Sequence, residues 1–217
     1  MSVPYQFLLV GMPGRGKTMA LRNMDAATTG YINMEGKPLP FLNKFTHYST
    51  PNNWQECYQK LIEYAKDDTI KTVVLDSFSA YVDSVLQTAR NTKKGFDIWN
   101  LYNEEIGKLQ YIIKKYPKHI IVTGHYEWVE TEEGAVEKRL AVKGKEWKGM
   151  LEKDYTVVQY ADVSVKDNKR EYWITLNSDG KSSAKTPPMF LLDGEEKMPN
   201  DYSVFIERVN NKLNDNK

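Results

Sequence analysis

Gly11-Met12-Pro13-Gly14-Arg15-Gly16-Lys17-Thr18 follows the apolar run Phe7-Leu8-Leu9-Val10 and leads into Met19-Ala20-Leu21-Arg22-Asn23. This is the pattern G-x-x-x-x-G-K-[ST] in the context it requires: a buried strand, a glycine turn and the start of a helix. Gly11, Gly14 and Gly16 allow positive φ, so the chain can curl and aim consecutive N–H groups at one phosphate beside a helix N-terminus. Gly11, Met12, Pro13, Gly14, Arg15, Gly16, Lys17, Thr18 and Met19 are therefore the expected ATP-binding residues. Lys17 is expected to reach the β- and γ-phosphates, and the Thr18 hydroxyl to ligate Mg²⁺. The plainer alternative is a glycine-rich turn with a surface lysine; the complete pattern in its full context weighs against it.

Composition sets the bounds around that motif. A chain of 217 residues has room for one well-buried α/β domain with a small appendage. We expect residues 1–217 to form one domain, with a core over about 5–165 and C-terminal strands and a helix over 166–217. The formal net charge is +1, so the protein is no polycation, and any nucleic-acid contact must come from a local patch. Cys57 is the only cysteine, which excludes an internal disulfide and a cysteine-rich zinc site. His47, His119 and His125 lack metal-ligand spacing. The first strand begins within a few residues of Met1, leaving no room for a signal peptide, and no apolar run approaches a membrane span. A reduced, cytoplasmic protein is the expectation.

Along the chain, Gly30–Met34 reads as a second strand ending at Glu35-Gly36, and Thr46-His47-Tyr48 as another extended piece. A helix is expected from about Asn52 to Lys66, with Trp54, Tyr58, Leu61, Ile62 and Ala65 on one face. Thr72-Val73-Val74-Leu75-Asp76 is the continuous apolar run of a strand buried on both faces of a parallel sheet. Two helices follow, about Ser79–Ala89 and Ile98–Lys115, separated by the polar stretch Arg90–Gly95; the second carries a stripe of Leu101, Ile106, Leu109, Ile112 and Ile113. His119–Thr123 is a further buried strand, closing at Gly124-His125. The segment Tyr126–Lys153 is long, charged and turn-rich, with a hairpin tip expected at Glu132-Glu133-Gly134. Tyr155–Val165 and Arg170–Leu176 read as antiparallel strands around the turn Lys166–Lys169, and Tyr202–Leu213 as a closing helix. This alternation predicts a three-layer α/β/α sandwich with a mostly parallel central sheet and antiparallel C-terminal strands.

Asp76 closes its buried strand, where a P-loop fold places the carboxylate that holds Mg²⁺. The alternative is an aspartate capping the next helix through Ser77 and Ser79. Because Ser77 follows Asp76, the hydrolytic glutamate that many P-loop ATPases keep adjacent to this aspartate is absent. Glu35, at the end of the second strand, is the candidate for orienting water, against the plainer reading of an ordinary Glu-Gly turn.

The combination G-M-P-G-R-G-K-T, Y-I-N-M-E-G, V-V-L-D-S and I-I-V-T-G-H resembles the core of RecA-type recombination ATPases, and most the small RecA-like proteins encoded by phages, some of which anneal or pair single-stranded DNA. The resemblance covers about Tyr5–Val165, with a weaker echo at Ser183–Pro188. It implies that Lys17 and Thr18 bind phosphate and Mg²⁺, that Asp76 holds the metal, that Glu35 activates water, and that His125 senses the γ-phosphate. RecA itself has a glutamine where this chain has His125. The resemblance also implies a ring or filament in which a neighbour inserts a cation toward the γ-phosphate, with Lys143, Lys145, Lys181 and Lys185 as candidates.

DNA-contacting loops in that group follow the metal-binding strand and the sensor strand. Here those places hold Arg90, Lys93 and Lys94, then Lys138, Arg139, Lys143, Lys145 and Lys148 with Trp147 among them. Basic loops with an interleaved aromatic can pair with phosphates and stack on bases, although Glu130, Glu132, Glu133 and Glu137 dilute the second loop. The expectation is an Mg²⁺-dependent ATPase acting on single-stranded DNA. Its rivals are a small-molecule kinase, disfavoured by Arg139 standing alone where a lid would carry several arginines, and a nucleotide-dependent scaffold.

Overall fold

The computed structural model describes residues 4–131, 134–178 and 180–215. Its architecture follows from strands that are apolar on both sides. In β1 (Gln6–Val10) Leu8 and Val10 enter one core while Phe7 and Leu9 enter another, and all four are fully buried. Val73 and Leu75 against Val74, and Ile120 and Val122 against Ile121, divide in the same way. At about 1.5–3 kcal/mol for each such side chain withdrawn from water, covering both faces with helices is what these sequences demand.

The order after β1 is α1 (Lys17–Ala20), β2 (Thr29–Asn33), β3 (His47–Ser49), α2 (Trp54–Lys66), β4 (Thr72–Asp76), α3 (Phe78–Thr92), α4 (Asp97–Lys114) and β5 (His119–Gly124). A hairpin of β6 (Tyr126–Glu130) and β7 (Val136–Leu140) follows, then β8 (Val157–Lys166), β9 (Lys169–Thr175), β10 (Lys197–Pro199) and α5 (Tyr202–Asp215). The main sheet has eight strands in the order β10-β9-β8-β1-β5-β4-β2-β3, and the hairpin forms a separate two-stranded sheet. Strands β3 through β8 of that order pair in parallel, and antiparallel pairing is confined to β8-β9 and β9-β10. Helices α2, α3 and α4 supply one core, and α5 with the loop around Phe45 supplies the other. The expected α/β/α sandwich is the fold observed.

Several details differ from expectation for identifiable reasons. Helix α2 buries Cys57, Leu61 and Tyr64, whereas Tyr58 and Ile62 from the expected face are only half-buried. Its Asn53 side chain accepts from the Glu56 N–H, so the N-terminal cap falls on Asn53 and the helix begins at Trp54, two residues later than the pattern suggested. Helix α3 runs on through Arg90 to Thr92, three residues past the expected end at Ala89, and the Lys93 N–H donates to the Ala89 carbonyl just beyond it. The turn between β8 and β9 places Asp167 and Asn168 at φ 50° and 59°, the pairing that suits a tight two-residue hairpin. Glu132 and Glu133, expected at the tip of the β6-β7 hairpin, lie outside the described residues. Among the described residues no helix is long and apolar enough to cross a membrane.

Close packing of α2 on β2 gives a direct check. A Cβ on Gly30 would lie 2.6 Å from the Tyr64 ring, so Gly30→Ala is expected to cost roughly 1–3 kcal/mol of stability. Urea denaturation measures this, and an unchanged midpoint would show that α2 is free to lift from the sheet.

Candidate functional site

Parallel register brings the carboxyl ends of four strands to one edge: Val10 lies beside Gly124, and Asn33 beside Asp76. Everything that follows β1, β2, β4 and β5 therefore meets there. A cavity of about 920 Å³ opens at this edge, lined by Gly16, Lys17, Thr18, Glu35, Asp76 and His125 among others. Residues scattered over more than a hundred positions of sequence thus share one site, on the side of the sheet that carries Lys17.

The loop after β1 curls through Gly14 and Gly16, at φ 76° and 88°. Gly11 does not adopt positive φ, contrary to expectation; its glycine is needed for space, since a Cβ there would lie 2.8 Å from the Ala161 carbonyl oxygen. The helix expected after the loop is short. Helix α1 is one turn, and Leu21 and Arg22 donate to the carbonyls of Thr18 and Met19 in three-residue turns. So short a helix has little dipole, and attraction for an anion must come from the loop's own N–H groups and from Lys17.

Lys17 is buried, and its Nζ donates to the carbonyls of Gly11 at 2.7 Å and Met12 at 3.2 Å. Burial pushes its ammonium down to about 8, against the opposing pull of Asp76 and Glu35. Asp76 is buried as well, and three hydroxyls from three elements donate to it. Thr18 Oγ1 reaches Oδ2 at 3.0 Å, Tyr31 OH reaches the same oxygen at 2.6 Å, and Thr123 Oγ1 reaches Oδ1. The alternative role of Asp76 as a helix cap does not hold, because the Ser77 side chain is what caps α3, accepting from the Ala80 N–H at 3.3 Å. A hydroxyl and a carboxylate within 3.0 Å of each other are hard oxygen donors of the kind Mg²⁺ takes, so the pair Thr18 and Asp76 fits that ion.

Glu35 stands on the turn after β2, its Oε1 accepting from Ser77 Oγ at 3.4 Å and its Oε2 lying 3.6 Å from Lys37 Nζ. His125 follows β5; its backbone N–H donates to Ser79 Oγ at 3.0 Å. Burial, and next the nearby Lys17 ammonium, hold the imidazole below its ordinary value, so it is neutral at pH 7.

Sequence reasoning missed four residues of this arrangement. Tyr31 and Thr123 hold Asp76 from the strands flanking β4, a relation that strand adjacency alone could have exposed. Tyr172 and Asn200, far along the chain, close the cavity beside Gly16, and Asn200 Nδ2 donates to the Gly16 carbonyl at 3.1 Å. Arg22 Nη1 in turn donates to the Asn200 carbonyl at 2.6 Å. No motif announces these contacts.

The basic candidates are distributed unevenly. Lys138 is 2.9 Å from Asp162 and lies over the rings of Tyr126 and Trp128, Arg139 pairs with Glu137 at 2.7 Å, and Lys148 pairs with Glu127 at 3.1 Å. Trp147, the aromatic interleaved among the lysines, is half-buried, its Nε1 donating to Asn103 on α4 at 3.0 Å. Exposed aromatics include Phe96, 77% exposed, and Trp99, 37% exposed, as well as Tyr111 and Trp128. Phe96 and Trp99 line a second cavity of about 760 Å³ with Lys143, Lys145 and Lys148, and its wall shares Ser79, Asp83 and His125 with the first. Arg90 sits in the last turn of α3, with Lys93 and Lys94 just beyond it. Lys185 is exposed, with its backbone bridged to Val158.

A family described as AAA domain matches residues 3–187. No curated protein matches the chain. Among solved structures the chain is similar to the KaiC-like protein PH0186 from the hyperthermophilic archaeon Pyrococcus horikoshii OT3, at 15% identity over 81% of this chain and 79% of that one, with a TM-score of 0.51. It is also similar to the RadB recombinase, at 18% identity over 80% and 81% of the two chains, with a TM-score of 0.48. At 15% identity the likeness to the KaiC-like protein is one of fold, the α/β sandwich with a mostly parallel central sheet.

The buried lysine makes nucleotide affinity pH-dependent in a definite direction. Only the protonated ammonium attracts phosphate, and the free protein loses that proton as pH rises through about 8. Equilibrium binding of a fluorescent ATP analogue is therefore expected to be flat from pH 6.5 to 7.5 and to weaken by about tenfold per unit well above 8. Affinity that holds constant to pH 9.5 would contradict the role given to Lys17.

Proposed function

Because this chain belongs to the AAA domain family, we propose that it is an Mg²⁺-dependent ATPase whose nucleotide state is coupled to single-stranded DNA. The observation that carries the reading is the meeting of Lys17, Thr18, Asp76, Glu35 and His125 around one cavity. We take residues 1–217 as one ATPase unit.

In this reading the N–H groups of Gly14 through Thr18 and the Lys17 ammonium bind the phosphates of ATP. Bound Mg²⁺, held by Thr18 and Asp76, would supply Lewis-acid neutralisation of the β- and γ-oxygens. Tyr31 and Thr123 keep Asp76 in place through their hydroxyl hydrogen bonds to its two oxygens. Glu35 takes the proton of the attacking water as its oxygen bonds to the γ-phosphorus. The bond from that phosphorus to the β–γ bridging oxygen breaks, leaving ADP and inorganic phosphate. His125, neutral and at the end of a central strand, has a ring N–H to offer the γ-phosphate and loses that partner on hydrolysis.

Support for a nucleic-acid strand comes from the second cavity, where Phe96 and Trp99 offer ring faces to bases and Lys143 and Lys145 offer charge to phosphates. Its shared wall at His125 is a short route between the two ligands. Arg90, Lys93 and Lys94 stand just before Phe96 in the chain, while Lys138, Arg139 and Lys148 contribute only if their ion pairs open. A cation completing the γ-phosphate end would come from a second copy in a ring or filament, with Lys143, Lys145, Lys181 and Lys185 as the candidates. The resemblance of the motif set to small phage-encoded proteins supports placing this work in phage recombination or replication, in the host cytoplasm.

ATP turnover with and without single-stranded DNA tests the proposal. Lys17→Ala is expected to lower turnover by about 100-fold or more. DNA is expected to stimulate turnover and to bind with an affinity that falls as salt rises, with a shallower salt dependence in Lys143→Ala. Phosphate transfer to a nucleoside in place of water would select a kinase, and turnover indifferent to DNA would remove the nucleic-acid half of the reading.

A further inference from the structure

Glu35 hangs from a turn of five residues, 33–37, and its own side-chain contacts are weak: a hydroxyl at 3.4 Å and an ammonium at 3.6 Å. Something else must hold its carboxylate where a water could use it, since a misplacement of about 1 Å can cost 100-fold in rate. The residue at the start of the turn is built for that. Asn33 ends β2, is 2% exposed, and has both ends of its amide engaged. Its Oδ1 accepts from the Gly36 N–H at 3.2 Å, while Nδ2 donates to the Lys37 carbonyl at 2.7 Å and to Tyr48 OH at 2.8 Å. Gly36 turns at φ 66°, so the chain reverses directly after Glu35. One side chain thus closes the turn across Glu35 from both flanks and ties it to β3 through Tyr48. The backbone of Met34, between Asn33 and Glu35, donates to the Asp76 carbonyl at 2.7 Å, which registers the turn against β4.

We infer that Asn33 is a positioning residue for Glu35. It acts through the turn and not by donating to a phosphate, because both N–H groups of its amide are already committed to Lys37 and Tyr48. This rests on the reading of Glu35 as the group that orients water. Loss of the Asn33 amide should therefore lower kcat and leave nucleotide binding intact. A side chain that only stabilises the fold would, when removed, lower thermal stability without selective loss of kcat.

The test uses four proteins: wild type, Glu35→Gln, Asn33→Ala and the milder Tyr48→Phe, which removes the outer partner of the amide. Each is measured for steady-state ATP hydrolysis, binding of a fluorescent non-hydrolysable ATP analogue, and thermal unfolding. Glu35→Gln is expected to lose about 100-fold in kcat, Asn33→Ala at least about tenfold, and Tyr48→Phe several-fold, with analogue affinity within about twofold throughout. Should Asn33→Ala fail to fold, Tyr48→Phe decides: a fall in kcat at unchanged affinity supports the inference, and a wild-type kcat overturns it. Wild-type kcat in both Asn33→Ala and Tyr48→Phe, alongside a collapse in Glu35→Gln, would overturn the positioning role alone. So would analogue affinity lost in step with kcat. If Glu35→Gln itself hydrolyses normally, the role given to Glu35 falls and this inference falls with it.

Discussion

Asp76 is the point on which the site depends. A buried carboxylate is costly unless its oxygens are occupied, and here the hydroxyls of Thr18, Tyr31 and Thr123 occupy them. Those donors come from the phosphate loop, from β2 and from β5, the two strands flanking β4. A single desolvated charge therefore locks the strand ends and the loop into one relative geometry, and ionic hydrogen bonds of this kind are roughly twice as strong as neutral ones. The position that would serve a metal is also the one that organises its surroundings.

Lys17 completes the balance. Its ammonium is buried beside Asp76 and Glu35 and folds back onto the carbonyls of Gly11 and Met12. These carbonyls satisfy the cation, so the loop is held closed by the group a phosphate would draw on. Because α1 is a single turn, the loop has little dipole to rely on, and this lysine supplies the main positive charge at the cavity.

The remainder of the chain braces this edge from outside. Asn200 and Arg22 join the segment after β10 to the loop. On the other side Arg15 donates to the Val163 carbonyl at 3.0 Å and lies 3.8 Å from Asp162, whose other oxygen takes Lys138 from the β6-β7 hairpin at 2.9 Å. Asp162 is thus shared by the phosphate loop and the hairpin. Leu140, at the hairpin's end, is buried against Gly124, where a Cβ would lie 2.4 Å from its methyl group. The hairpin packs directly on the strand that presents His125.

How much of this was legible beforehand follows from the range of the interactions involved. The eight-residue loop motif, the double-sided apolar runs of β1, β4 and β5, and the placement of Glu35, Asp76 and His125 at strand ends are local patterns, readable because backbone conformation and burial leave a periodic mark on sequence. The braces are not local. Tyr31 and Thr123 on Asp76, Asn200 on Gly16, and Asp162 between Arg15 and Lys138 join residues 45 or more positions apart in the first two cases and far more in the rest, except for the 24 between Lys138 and Asp162. Trp147 belongs to the same class: nothing local to an aromatic among lysines shows that α4 offers Asn103 to its indole. Sequence by itself determined the parallel α/β sandwich and the identity of the phosphate loop, because each arises from neighbours along the chain. Which hydroxyl, amide or cation supports each functional group was decided only when the sheet order brought distant strands into contact, since a hydrogen bond of 3 Å depends on where a partner lies in space.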